Sequence, residues 1–480
     1  MIRHWVNRIW LILFLGLTIS CATYYQLNYE FNQHYANGDL EAASKLLDNN
    51  KKQAKDKSRF LYFVNQGLVN TQLGNYEESN QWFEKAFLFG EDYQMNYANV
   101  AASFLVNPNT VTYRGEDHEH LLLLYYKAIN YLKLSDYEAA LVECRRLNNR
   151  LQVLSDKYRS DKKYKRDAFI HNLMGIIYEA SGDVNNAFIA YRNSLEIYKE
   201  DYIAQFGVAV PNQLKQDLLR TAYLNGFLTE LDFYEQEFGI KYDRNSNSSE
   251  ELVFFWHNGL VPFKAEWSIN FTVVEGQGGM VTFVNEEHGF NFPFPVADND
   301  QRSELTDLRF FRVAFPKYVE RGVVFNQAAI MHNNQKYGLE LAEDINAIAF
   351  KTLEERMLQE FAQGLLRVAI KKSIERAIRG DQSSGSEKSD QEKRNDEFRD
   401  GLSFLVGIVN TVTEKADTRN WQTLPHDIFY TRVPLDTGLN EVILQVSSNK
   451  VGARDNQSFT FDVRKGETVF HTFHSLEAMR

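Results

Sequence analysis

The sequence predicts an α+β multidomain chain. An N-terminal α-solenoid of helical hairpins leads into a β-rich region with inserted helices, and a small C-terminal β-sandwich closes the chain. Three observations carry this. A short turn motif recurs four times in the first half, with apolar residues at helical spacing around it. The polar stretch from Asp243 to Glu250, DRNSNSSE, ends that periodicity. Beyond it, runs rich in β-branched and aromatic residues alternate with turn signals.

At 480 residues the chain exceeds one typical core, so two or three domains are expected. The net charge of -11, with no long basic run, argues against a nucleic-acid binder, because phosphate neutralisation needs a basic face. With Cys21 at the start and Cys144 inside a helical pattern, the 2 cysteines make neither a disulfide framework nor a thiolate metal site. Arg3, His4 and Arg8 precede an apolar run, Ile9 to Leu17, that is too short to span a bilayer as a mature helix. Leu17-Thr18-Ile19-Ser20-Cys21 then resembles a bacterial lipobox, with Thr18 where leucine is usual. The resemblance implies that residues 1–20 are a signal peptide and that Cys21 carries acyl chains such as palmitate. Ala22, rather than aspartate, after the cysteine implies an outer-membrane anchor facing the periplasm. Several acyl chains suffice for stable attachment.

Residues 21–242 form the repeat region. Asn37-Gly38-Asp39-Leu40-Glu41-Ala42-Ala43 is echoed by Leu73-Gly74-Asn75-Tyr76-Glu77-Glu78-Ser79, Leu134-Ser135-Asp136-Tyr137-Glu138-Ala139-Ala140 and Ser181-Gly182-Asp183-Val184-Asn185-Asn186-Ala187. Gly67, Gly74, Tyr76, Phe83 and Ala86 in one unit resemble the tetratricopeptide pattern, as do Gly175, Tyr178, Gly182, Ala187 and Tyr191 in another, with Gly38, Tyr137 and Ala140 as further packing positions. Small residues let paired helices approach, the turn reverses the chain, and aromatics fill the seam. Insertions holding Asn107-Pro108-Asn109 and Tyr158 to Lys163 make the array irregular. The concave groove of such an array is expected to hold a protein partner, with a purely structural spacer as the alternative.

Residues 251–345 read as a β-rich domain, with strands at Leu252–Trp256, Ser268–Val274, Met280–Val284 and Phe310–Phe315. A helical segment, 346–420, follows and contains a mobile polar loop at 380–400 and a short apolar helix at 401–413. Arg367, Lys371, Lys372, Arg376 and Arg379 lie beside its apolar face, which suits either an anionic membrane surface or two helices packed on a sheet. Residues 421–480 give four strands, Phe429–Val433, Glu441–Val446, Ser458–Val463 and Thr468–Phe473, expected to close on themselves as a sandwich.

Several blocks then share a resemblance. They are Tyr113-Arg114-Gly115-Glu116, Tyr125 to Leu132, Ala139 to Asn148, Ile176 to Gly182, Ile189 to Arg192, Asp217 to Arg220, His257 to Lys264 and Ala416 to Pro425. Together they are similar to an uncharacterised family of bacterial tetratricopeptide lipoproteins, over nearly the whole chain. The resemblance implies a non-catalytic protein-interaction scaffold in the cell envelope. Genes of that family tend to lie near those for lipoprotein activators of penicillin-binding proteins, which implies as an alternative a regulator of peptidoglycan synthesis acting by contact with a synthase.

Candidate chemistry is thin. Asp117-His118-Glu119-His120 offers metal-ligand types, but residues two apart on a helix diverge, so an acidic helix start with exposed polar residues is expected instead. His471 and His474 lie three apart on a strand and face opposite sides. No G-x-S-x-G stretch appears, and Gly276-Gln277-Gly278-Gly279 reads as a hairpin turn rather than a phosphate loop. Neither a catalytic residue, a metal site nor a cofactor is expected, and a hydrolase with an unrecognised site is the remaining catalytic reading. Asp417, Arg419 and Trp421 combine an acid, a guanidinium and an indole, either to bind a partner or to lock the preceding helix against the last β-domain.

Overall fold

The structure is a computed structural model that describes residues 24–94, 112–157, 164–244, 250–275, 279–295, 302, 310–354, 416–449 and 452–476. The lipobox, both repeat insertions, the 380–400 loop and the 401–413 helix lie outside the described residues. So does most of the basic helix, of which residues 345–354 are described as helical.

Among the described residues five helical hairpins run through the first half: α1 (Tyr24–Ala36) with α2 (Leu40–Asn49), α3 (Arg59–Gln72) with α4 (Tyr76–Gln94), α5 (Asp117–Lys133) with α6 (Tyr137–Lys157), α7 (Ala168–Ala180) with α8 (Val184–Ile197), and α9 (Asn212–Leu224) with α10 (Leu228–Phe238). One device ends the first helix of each pair. A left-handed residue follows it, Gly38, Gly74, Ser135, Gly182 or Gly226, and the next N–H reaches back to a carbonyl one turn inside, as in Asp183 N to Tyr178 O at 2.8 Å. In three hairpins an aspartate then caps the second helix, Asp39, Asp136 or Asp183 accepting from the N–H three residues on. The fifth copy, with Gly226 followed by Phe227, lacks that acid and escapes the sequence motif. Within a pair the close approach is set by small residues. A Cβ on Gly67 would lie 2.6 Å from the Phe83 ring, and one on Gly175 would collide with the Tyr191 ring, while Ala86, Ala140 and Ala187 are fully buried.

The second half has twelve described strands: β1 (Glu251–Asn258), β2 (Phe263–Glu275), β3 (Met280–Asn285), β4 (Phe290–Pro295), β5 (Phe310–Val319), β6 (Gln327–His332), β7 (Gln335–Gly338), β8 (Glu340–Asp344), β9 (Asp427–Pro434), β10 (Gly438–Ser447), β11 (Arg454–Val463) and β12 (Thr468–Ser475). They form three four-stranded sheets, ordered β12-β1-β9-β8, β11-β10-β6-β7 and β4-β3-β2-β5. The first two stack through Leu252, Phe254, Trp256 and Val433 against Ile330, Val442, Leu444 and Val446. The third keeps its own core of Ile269, Phe271, Val273, Val281, Phe283, Val313 and Phe315.

The expectation of a self-contained C-terminal sandwich is corrected by this pairing. β9 and β12 flank β1, while β10 pairs with β6, so the last four strands interleave with the 251–345 region. Burial is the reason. β1 is covered on both faces, and its unbroken run LVFFWH needs a central position that the C-terminal strands supply. Residues 416–420, expected within the helical segment, are not helical and begin a strap, 416–426, that leads into β9.

Candidate functional site

The candidate feature is the seam where the β12-β1-β9-β8 sheet meets the helices. Val253 and Phe255 of β1 point away from the sandwich and join one hydrophobic core with all five hairpins. The first helix of every pair reaches the sheet or its strap. Asn32 of α1 donates to Gln422 Oε1 (3.1 Å), and Thr423 donates to Asn65 of α3 (3.3 Å). Tyr125 of α5 meets His257 Nε2 at 2.9 Å, and Phe169 of α7 packs edge-on against Phe255. Gln213 N, at the start of α9, donates to Glu340 of β8 (2.8 Å). The expected open groove is therefore corrected: the first-helix face is covered by the chain's own strands.

Two charged hubs hold the seam. Arg432 on β9, 5% exposed, bonds Asp217 of α9 (3.2 Å), Glu179 of α7 (2.9 Å), the Tyr191 hydroxyl of α8 (2.6 Å) and Glu251 of β1. Arg220 pairs with Glu179 and Asp217 from the helical side. Burial would push the Glu179 carboxyl up, but the two guanidinia outweigh it and hold it at about 2. Removing one partner of such a network strands the others in a low-dielectric interior.

The second hub surrounds Trp421, which is 0% exposed and rests against Phe83 and Tyr126. Its backbone N–H donates to Glu119 Oε1 (2.6 Å), which also accepts from the Tyr113 hydroxyl (3.0 Å), while Glu119 Oε2 takes the Glu116 N–H in a capping box. Lys264 of β2 pairs with Glu116. Burial, with the neighbouring Glu116 charge, raises the Glu119 carboxyl to about 7. The exposed acidic helix start expected at Asp117–His120 is corrected: His118, Glu119 and His120 are buried, because this first turn receives the strap. Asp417, Arg419 and Trp421 are brought together, Arg419 Nη2 lying 2.6 Å from Asp417 Oδ2. Arg419 and Trp421 are buried and Asp417 is half-buried, so the group packs among the chain's own elements; the helix it was expected to lock lies outside the described residues.

The remaining named positions serve the helices. Gly38, Gly74 and Gly182 make the turns, Tyr76 is half-buried, and Tyr137 packs against Phe470 of β12. His471 and His474 face opposite sides, towards Phe459 and towards Tyr35, as the strand period requires. The long-range partners, His257 with Tyr125 and Arg432 with Asp217, carried no local signal in the sequence. A cavity lined by Phe31, Leu47, Leu61, Tyr62 and Asn65 has room for about one water molecule. Among the described residues no helix is long and apolar enough to cross a membrane.

No protein-family model matches the chain, and no curated protein matches it. Solved structures similar to its helical part include MamA from Desulfovibrio magneticus RS-1, 14% identical, covering 44% of this chain and 90% of that one at a TM-score of 0.28. BtubC from P. vanneervenii is 15% identical over 44% and 77%, with a TM-score of 0.31. A tetratricopeptide repeat protein from Parabacteroides merdae is 13% identical over 47% and 81%, with a TM-score of 0.22. The helical-hairpin architecture stands on the turns and close approaches described above.

Proposed function

We propose that the chain is a non-catalytic protein-interaction scaffold of the bacterial cell envelope, attached to the outer membrane by lipid on Cys21 and facing the periplasm. The observation that carries the scaffold reading is the seam: five hairpins and a sandwich share one core, which makes a continuous body suited to presenting surfaces. The partner surface moves from the inner groove to the outward side of the array. Val142 of α6, Ile189 of α8, and Leu228 and Phe233 of α10 are exposed there, the last two at 58% and 60%. The anchoring reading is supported by the lipobox resemblance, and the first described residue, Tyr24, already belongs to a helix of the repeats.

A cross-linking amino acid at position 233 in intact cells is expected to trap an envelope protein, and trapping is expected to weaken when Leu228 and Ile189 become serine. Equal trapping from the serine variant contradicts the proposed surface. Mass spectrometry is expected to find acylated Cys21 as the first residue of the mature chain, and an unmodified Cys21 with residues 1–20 still attached contradicts the anchor.

A further inference from the structure

We propose a divalent-cation site, of zinc-type donor chemistry, formed by Asp344, His426 and Asp427 with Glu320 at its rim. One donor atom from each of the first three residues lies within 4.8 Å of the others. The residues come from separate elements: Asp344 ends β8, His426 ends the strap, Asp427 begins β9, and Glu320 follows β5. The main chain already converges at this point. His426 N donates to Asn258 O at the end of β1 (2.9 Å), and His426 O accepts from Ile345 N (3.0 Å) and Asn346 N (3.1 Å) where the 345–354 helix begins.

Two independent features call for a cation. Asp344 and Asp427 are directly opposed across neighbouring strands, an arrangement in which like charges destabilise the pair. Among the described residues, no lysine or arginine forms an ion pair with Asp344, Asp427 or Glu320. The one positive group that His426 can offer, when protonated, faces three carboxylates. Its Nδ1 stands 2.9 Å from Asp427 Oδ1 and its Nε2 3.5 Å from Glu320 Oε1. Yet Nδ1, in a side chain 10% exposed, makes no properly directed hydrogen bond, so it and the carboxylate sit side by side as ligand atoms do. One Asp344 oxygen is held by Ala347 N at 2.7 Å, which fixes the carboxylate and leaves its second oxygen for an ion.

One imidazole nitrogen with two carboxylate oxygens is a donor set for Zn²⁺, with Glu320 or water completing a tetrahedron. Drawing the three side chains inward by about an ångström brings them to Zn–N and Zn–O bonds of about 2.0–2.2 Å. The ion then ties the strap, the β8 end and the start of the 345–354 helix together. The sequence hid this site because Asp344 and His426 are far apart along the chain.

The test uses the full chain, stripped with a chelator and titrated with Zn²⁺ by calorimetry, with the metal content read by mass spectrometry. One equivalent per chain is expected, with an unfolding temperature that rises on loading. Asp344→Asn and His426→Gln are each expected to weaken binding roughly tenfold or more, and Glu320→Gln, an exposed change that spares the fold, to weaken it less. Failure of the wild-type chain to bind an equivalent of Zn²⁺ overturns the site. Binding that survives unchanged in folded Asp344→Asn overturns it equally.

Discussion

The two faces of the helical array differ in what covers them. The first-helix face carries Asn32, Asn65, Tyr125, Phe169 and Asp217, and each meets the sheet, its strap or a hub residue. The second-helix face carries Val142, Ile189 and Phe233 in the open. The same hairpin repeat thus serves two purposes, and a repeat pattern by itself does not say which face is free. An array usually read as a groove for others here grips its own chain.

The contrast can be broken most forcefully at the hubs. Arg432→Leu is expected to cost about 3–5 kcal/mol in denaturant unfolding, because Asp217 and Glu179 lose a buried partner. Trp421→Ala is expected to cost a similar amount, about 3–5 kcal/mol, through the space it leaves beside Phe83 and Tyr126. Phe233→Ser on the open face should stay within about 0.5 kcal/mol, and a loss as large as that of Trp421→Ala would erase the distinction.

Acidity tests the sheet next, because β12 holds neutral histidines on both of its faces. Burial first, then the Lys133 charge, pulls the His471 imidazole down to about 3. In the unfolded chain it takes a proton near pH 6.5, so its contribution is complete above that pH and is lost as pH falls towards 3. Relative to wild type, His471→Asn should therefore gain up to about 1.4 kcal/mol per pH unit between pH 6.5 and 4. Glu119 works in the opposite sense. Its raised value of about 7 means that the folded chain holds a proton the unfolded chain lacks between about pH 4.5 and 7, and that contribution is lost as pH rises through 7. Glu119→Gln should gain stability relative to wild type from pH 5 to 8, and parallel wild-type and variant curves would refute the assignment.

Smaller effects test the hairpins. Gly175→Ala forces a methyl into the Tyr191 ring and is expected to cost about 1–3 kcal/mol. Ser135 adopts a φ of 58°, and Ser135→Gly should stabilise by roughly 0.5–1 kcal/mol in thermal unfolding.

Local chemistry decided what was legible in the sequence. The turns at Gly38, Gly74, Ser135 and Gly182 announce themselves, since a left-handed residue followed by an acid or amide is a helix stop and start in adjacent positions. β1, β2, β3 and β5 show as apolar or aromatic runs. β6, β7 and β8 are short and carry no β-branched or aromatic run, and their pairing with β10, β6 and β9 rather than their composition makes them strands. Asp117–His120 misleads because the sequence displays a helix start without the strap that covers it. Arg432 reads as one charged residue in a strand, and its importance lies in four partners spread over three helices and β1. The Asp344–His426–Asp427 cluster is invisible for the same reason.

The central claim is that the sheet and strap cover the first-helix face within one chain. Its most direct test joins Asn32→Cys and Gln422→Cys, whose native side chains lie 3.1 Å apart, with a short bismaleimide in intact cells. Efficient cross-linking within a single chain, seen as a faster-migrating monomer and a peptide joining residues 32 and 422, is the expected result. Two thiols that stay unlinked to each other, or that link to a different protein, would contradict it.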